Sequence, residues 1–146
     1  KLPTHNNIVF EPIRQEQYVI AGSKTIVTTE FDNYTSEEDW ESAEAWLLSQ
    51  PWFAYTTDLA IIRKFWKKNF NKRPVIKPHC VIPDMNILLN SIKSNTALTV
   101  AADYLRDDDL KVLWQGRVFT ESTLYLAYDQ TKVTSDQVKL MQKLCR

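Results

Sequence analysis

Two short polar segments hold residue types suited to gripping a small ligand: Tyr55-Thr56-Thr57-Asp58 and Val81-Ile82-Pro83-Asp84-Met85. Each follows a short apolar run and precedes a helical pattern. Each therefore reads as a turn at the carboxyl end of a strand, where ligands bind in open α/β sheets. A helix start there offers unpaired N–H groups and the positive end of the helix dipole, which favour an anion. The Thr56 and Thr57 hydroxyls add hydrogen bonds. Asp58 and Asp84 admit a second use, as caps of their own helices, and Asp84 would repel an anionic ligand.

Other chemistry is thinly represented. His5 and His79 have no Cys or carboxylate partner at useful spacing. No G-x-S-x-G, H-E-x-x-H or Walker pattern is present, and the two glycines, Gly22 and Gly116, build no phosphate cradle. Asp107-Asp108-Asp109 reads as a solvated turn, because adjacent residues rarely point to one metal. Cys80 and Cys145 match no metal or redox spacing and read as reduced thiols, with a single disulfide as the minority alternative. No metal, cofactor or catalytic centre is therefore expected.

The elements that position these residues follow from periodicity. Ile8-Val9-Phe10 and Gln17 to Ala21 read as two strands, broken by Gly22-Ser23, with a Thr-rich connection over 24–35. Ser36 reads as an N-cap with Glu37, Glu38 and Asp39 in a first helical turn, followed by Trp40, Ala43 and Leu47 at helical spacing. Trp52 to Tyr55 is a short buried strand, and Asp58 caps the next helix. That helix carries a wide apolar stripe, Leu59, Ile62, Phe65, Trp66 and Phe70, beside Arg63, Lys64, Lys67 and Lys68. Its aromatic area suits a subunit contact. Val75-Ile76-Lys77 starts another strand, and Pro83 suits a helical first turn. Met85, Leu88, Leu89 and Ile92 give the i, i+3, i+4, i+7 pattern, with Asn95 as a left-handed C-cap. Ala97 to Ala101 is a strand, Asp103-Tyr104-Leu105 a helical turn, and Leu110 to Trp114 and Thr123 to Tyr128 are strands. Thr134-Ser135-Asp136-Gln137 has capping-box form and opens a last helix with Val138, Met141 and Leu144 on one face. Alternating helices and strands predict an α/β fold with a mixed, largely parallel sheet flanked by helices.

The 146 residues fit one domain, and 44% apolar residues supply a core. Lys plus Arg and Asp plus Glu balance at 18 each, which argues against a dedicated nucleic-acid surface. No apolar run approaches the roughly 18 residues of a membrane span, and Lys1 opens no signal peptide, so a cytoplasmic protein is expected.

The stretch from Pro83 to Leu105 resembles the central segment of the effector-binding domain of LysR-type transcriptional regulators, in which an amphipathic helix leads through a Gly-x-Gly turn to a buried strand and a Pro-x-Tyr-Leu helix start. Leu47 to Tyr55 resembles that family's short helix and Pro-Trp-apolar strand, Leu110 to Tyr128 its closing strands, and Ile8 to Ala21 its crossover pair. The family's two glycines fall on Asn95 and Ala97 and its proline on Ala102. Ala97 requires a turn of different shape or looser packing if that position takes a positive φ.

The resemblance implies a lobe of the type II periplasmic-binding-protein kind, as part of a two-lobed domain. Residues 1–22 would be crossover strands from a first lobe, 23–121 the second lobe, and 122–146 the return strand and C-terminal helix. Effector-binding positions would be Tyr55, Thr56, Thr57, Pro83, Asp84 and Met85; hinge positions Gly22, Ser23, Glu121 and Ser122; and an oligomer interface Phe65, Trp66 and Phe70. The implied function is non-enzymatic. A small-molecule effector shifts the lobe arrangement of a homodimer or homotetramer and couples to DNA through a helix-turn-helix domain that has no match in this chain. The alternative is a fragment of a periplasmic solute-binding protein.

Overall fold

β1 (Ile8–Ser23) is a single 16-residue strand where two shorter ones were expected. The structure, a computed structural model, describes residues 6–103 and 107–145. After β1 come α1 (Thr29–Ser36), α2 (Trp40–Ser49), β2 (Phe53–Ala54), α3 (Ala60–Phe70), β3 (Cys80–Val81) and α4 (Met85–Ile92). The chain closes with β4 (Leu98–Ala102), β5 (Leu110–Trp114), β6 (Thr120–Asp129) and α5 (Ser135–Cys145). The chain divides into two units. Unit 1 is Lys1–Glu16 with Glu121–Arg146, and unit 2 is Gln17–Thr120. The first division thus falls at Glu16/Gln17, inside β1, where the sequence suggested residue 22.

In unit 2, β1 lies between β4 and β5 and runs antiparallel to both. Parallel pairing is confined to β2 with β3 and to a Trp52–Leu98 bridge. The mixed α/β class holds, but the parallel share is smaller than expected, because the long crossover strand supplies the sheet's centre and opposes its neighbours.

Alternation sorts the two faces of this sheet. Ile20, opposite Val100 and Trp114, faces an aromatic core with Phe31, Leu47, Trp52, Phe65 and Trp66. The register slips between Ile20 and Ala21, a bulge that leaves both Leu113 and Trp114 against this core. Trp114 is its hub, with ring centroids 5.7 Å from Phe31, 5.8 Å from Phe65, 5.6 Å from Phe70 and 6.0 Å from Trp40. On the other face, Val19 opposes Ala101 and Ala21 opposes Val112. There α4 packs Leu88, Leu89 and Ile92 against Ala97 and Ala101.

Several local expectations change. The Thr-rich connection contains α1, whose one buried residue, Phe31, gives no stripe to read. Ser36 ends α1, and Asp39 is the N-cap of α2, accepting from the Ser42 N–H at 3.2 Å. Val75-Ile76-Lys77 forms no strand; Val75 is 86% exposed and the pairing falls to Cys80–Val81. Pro83 stands before the N-cap Asp84, outside the first turn of α4. Asn95 is no left-handed cap, since α4 ends on Lys93 in the right-handed region. Neither Asn95 nor Ala97 has a positive φ, so nothing in this turn requires the family's glycines. The expected turn at Asp103-Tyr104-Leu105 runs into residues outside those described.

Unit 1 comprises the Ile8–Glu16 part of β1, β6 from Glu121 onward and α5. β6 pairs with β1. Glu11 accepts from the Tyr128 hydroxyl at 2.7 Å and from Gln142 Nε2. The capping box forms reciprocally: the Gln137 N–H donates to Thr134 Oγ1 at 3.2 Å and the Thr134 N–H to Gln137 Oε1 at 2.9 Å. No apolar side chain among this unit's described residues is fully buried.

Candidate ligand-binding site

The parallel register of β2 and β3, Phe53 with Cys80 and Ala54 with Val81, sends the chain off the same end of both strands. The Ile82 N–H extends the ladder by one bond, to the Ala54 carbonyl at 2.9 Å. Tyr55-Thr56-Thr57 and Pro83-Asp84-Met85 thus leave side by side, each leading to a helix. Tyr55, Thr57, Pro83 and Asp84 are exposed, Thr56 is half-buried, and Met85 is half-buried against the Leu88–Leu89 cluster.

Part of the donor set is already spent on the helices. The Thr56 hydroxyl donates to Asp58 Oδ1 at 2.6 Å, and the Ala60 N–H donates to Asp58 at 3.2 Å and to Thr56 Oγ1 at 3.4 Å. The Thr56 hydroxyl, first, and then the Ala60 N–H hold the Asp58 carboxyl below its usual pKa. Leu59, in the left-handed region at φ 58°, turns the chain into α3. Asp84 Oδ1 accepts from the Ile87 N–H at 3.1 Å, and the Asp84 carbonyl from the Leu88 N–H at 2.9 Å. Both acids serve their helices. Thr57, Tyr55 and the first N–H groups of α4 are what remain for a ligand.

The other expected positions are placed differently. Gly22 opposes Leu98 and Lys111, and Ser23 opposes Leu110, so both are paired within the sheet of unit 2. A Cβ on Gly22 would stand 2.7 Å from Ile26 Cδ1 and 2.9 Å from Leu98 Cδ2; this glycine makes room for packing. Glu121 and Ser122 lie in β6, at the start of the unit 1 segment. Phe65 and Trp66 are 0% exposed and half-buried Phe70 packs against Trp66, so these aromatics belong to unit 2's own core. Trp66 Nε1 donates to buried Glu44 at 2.7 Å, which also pairs with Lys72 at 2.7 Å.

Among the described residues no cluster of His, Cys, Asp and Glu could hold a metal, and no helix is long and apolar enough to cross a membrane. His79 is exposed, and His5 lies outside the described residues. Cys80 and Cys145 are free thiols. Asp107 pairs with Lys93 at 2.6 Å and accepts from the Asp109 N–H at 2.9 Å. These bonds, that to Lys93 first, lower its pKa.

Sequence reasoning missed a hollow of about 560 Å³ on the α4 side of the sheet. Val19, Ala21, Leu89 and Ala101 floor it, and Asp103, Asp107, Asp108 and Lys111 edge it. The available signal was the small side chains in the two strands, Ala21 in β1 and Ala101-Ala102 in β4.

No protein-family profile and no curated protein sequence matches the chain. Solved structures do. The reduced OxyR regulatory domain from Pseudomonas aeruginosa aligns with 97% of this chain and 68% of its own, at TM-score 0.64 and 11% identity. The effector-binding domain of a BenM variant aligns over 99% of this chain and 66% of its own, at TM-score 0.64 and 9% identity. Full-length CbnR in complex with its target DNA aligns over 97% and 48%, at TM-score 0.62 and 13% identity. The chain thus spans about half to two thirds of the length of these proteins. At such low identity the likeness establishes the fold, which is that of LysR-type effector-binding domains and bears out the resemblance at that level.

Proposed function

We propose, from this fold, that the chain is the effector-sensing part of a LysR-type transcriptional regulator and has no catalytic role of its own. The observation that carries the reading is the parallel β2–β3 register. It brings Tyr55, Thr56 and Thr57 beside Pro83, Asp84 and Met85 at the carboxyl ends of adjacent strands. Tyr55 and Pro83 supply apolar walls, Thr57 a hydroxyl, and the start of α4 its free N–H groups, a set suited to a small polar or anionic effector. A bound effector favours the conformations that bind it best. In a cytoplasmic regulator that assembles with further copies and reads DNA through a separate domain, that preference becomes a change in DNA binding. Any self-association uses a surface other than Phe65 and Trp66.

A thermal-shift screen of small carboxylates and amino-acid-related metabolites tests this. One of them should raise the melting temperature, by an amount equivalent to about 2.7 kcal/mol at a hundredfold excess over Kd. Thr57→Val with Tyr55→Ala, both at exposed positions, should remove that shift and leave the unliganded melting temperature nearly unchanged. Ligand stabilisation that survives both changes would refute the assignment.

A further inference from the structure

We infer that the basic face of α3 and the turn after it form a second site, for a small ligand carrying two or more linked phosphates. The even charge balance of the chain hides a segregation. Residues 25–62 hold eight carboxylates and no Lys or Arg, whereas residues 63–83 hold seven Lys or Arg residues and no carboxylate. Five of those seven, Arg63, Lys64, Lys67, Lys72 and Arg73, line one concave surface of about 530 Å³. Arg63 and Lys67 share a helix face at i, i+4 spacing. Asn71, left-handed at φ 54°, then ends α3 and turns the chain so that Lys72 and Arg73 join them. The helix dipole accounts for Lys67 and Lys68, which lie in the last turn. It does not account for Arg63 and Lys64, in the first half of α3, or for Lys72 and Arg73, beyond its end.

The charges are held in place but not cancelled. Lys67 Nζ donates to Asn71 Oδ1 at 2.8 Å, and Lys64 Nζ lies 5.6 Å from the Tyr18 ring centroid; both partners are neutral. Lys72 pairs with Glu44, which Trp66 Nε1 anchors from below. Asp58 lies near enough to Arg63 to feel its charge. With both carboxylates counted, the five cations still carry a surplus of three. Arg73 takes part in none of the ion pairs among the described residues, and both guanidinium side chains are exposed. Two arginines beside ammonium groups suit adjoining phosphates, since a guanidinium grips oxygens in pairs and an ammonium acts as a point charge. Glu44 and Asp58 stand beside the patch. An extended nucleic-acid backbone would meet them on leaving it, whereas a compact polyanion would not. None of the β2–β3 turn residues lines this surface, so the site stands or falls independently of the effector site proposed above.

Calorimetric titration of the whole chain at low salt tests the inference, with sodium triphosphate, inorganic phosphate and a short DNA duplex as probes. Triphosphate should bind about tenfold more tightly than phosphate, the worth of one further charge-assisted hydrogen bond. Its affinity should fall as salt rises. In NMR spectra it should move the side-chain Nε–H signals of Arg63 and Arg73. Arg63→Gln with Arg73→Gln should weaken triphosphate by about tenfold or more at an unchanged melting temperature, because both positions are exposed. Lys24→Gln with Lys139→Gln removes the same charge from exposed positions elsewhere and should leave the affinity within about twofold. No binding of triphosphate, equal affinity for phosphate, tighter binding of the DNA, NMR shifts that spare both arginines, or equal weakening by the two double variants would each overturn it.

Discussion

Asn69 shows how much one buried amide can organise. At 2% exposure, it donates to the Phe65 carbonyl at 2.9 Å and to Thr120 Oγ1 at 3.4 Å. Its Oδ1 accepts from the Arg117 N–H at 2.7 Å and the Val118 N–H at 3.2 Å, and so fixes the turn between β5 and β6. Gly116 in that turn sits at φ 96°, and a Cβ there would stand 2.5 Å from Asn69 Oδ1. Asn69→Ala should therefore lower stability in urea denaturation by about 2–3 kcal/mol, since it strands two backbone donors. Gly116→Ala should cost about 1–3 kcal/mol through strain and collision. Acid exposes a further residue-level dependence. Asp39, Asp58, Asp107 and Asp129 all have lowered pKa values, each chiefly from a side-chain hydrogen bond: Ser42, Thr56, Lys93 and Thr131 respectively. A carboxyl with a depressed folded pKa stabilises fully above the ordinary value of 3.8, and that contribution is lost as pH falls through the folded value. The melting temperature should be flat in these groups above about pH 5 and drop below pH 4. Asp58→Asn should make that drop shallower.

At the level of elements, α3 tests whether an aromatic-rich helix is a core helix or a docking helix. Phe65→Ala should cost about 3–5 kcal/mol and leave the oligomeric state, read by light scattering, unchanged. A partner surface would give the reverse. Thr134→Ala should cost about 1 kcal/mol through loss of the α5 cap, measured by denaturant titration. Three helices differ in how readily the sequence disclosed them. α4 was legible almost residue for residue, because Met85, Leu88, Leu89 and Ile92 all pack on one side. The α5 capping box was legible because its chemistry is local. α1 was not, since Phe31 alone is buried. Gly22-Ser23 looked like punctuation, yet a central strand hemmed in by Ile26 and Leu98 needs a missing side chain as much as a turn does. The candidate site shows the same division. That two turns follow two strands was legible; that Thr56 and Asp58 bond to each other, and that small strand residues open a hollow elsewhere, depends on register and packing.

For the molecule as a whole, burial is unevenly shared. All the fully buried apolar side chains among the described residues fall between Val19 and Ala102, within unit 2. Opening free energies follow buried contacts. Amide hydrogens of α5 and β6 should therefore exchange faster than those of β4 and α3, in a mass-spectrometric time course. Equal protection would contradict the burial pattern.

The bond from Tyr128 to Glu11 closes unit 1 across 117 positions, and Gln142 reaches the same carboxylate across 131. Every residue of unit 2 lies between these partners in the chain. During synthesis from the N-terminus, the first part of β1 emerges long before β6 and α5 exist to meet it. Unit 2, complete by Thr120, can fold meanwhile. Its folding draws the ends of that long loop together and removes most of the entropy cost of closing unit 1. Ribosome-released fragments ending near Thr120 should already protect β4 and α3 from protease, whereas Glu11 and its neighbours stay cleavable until α5 has been made.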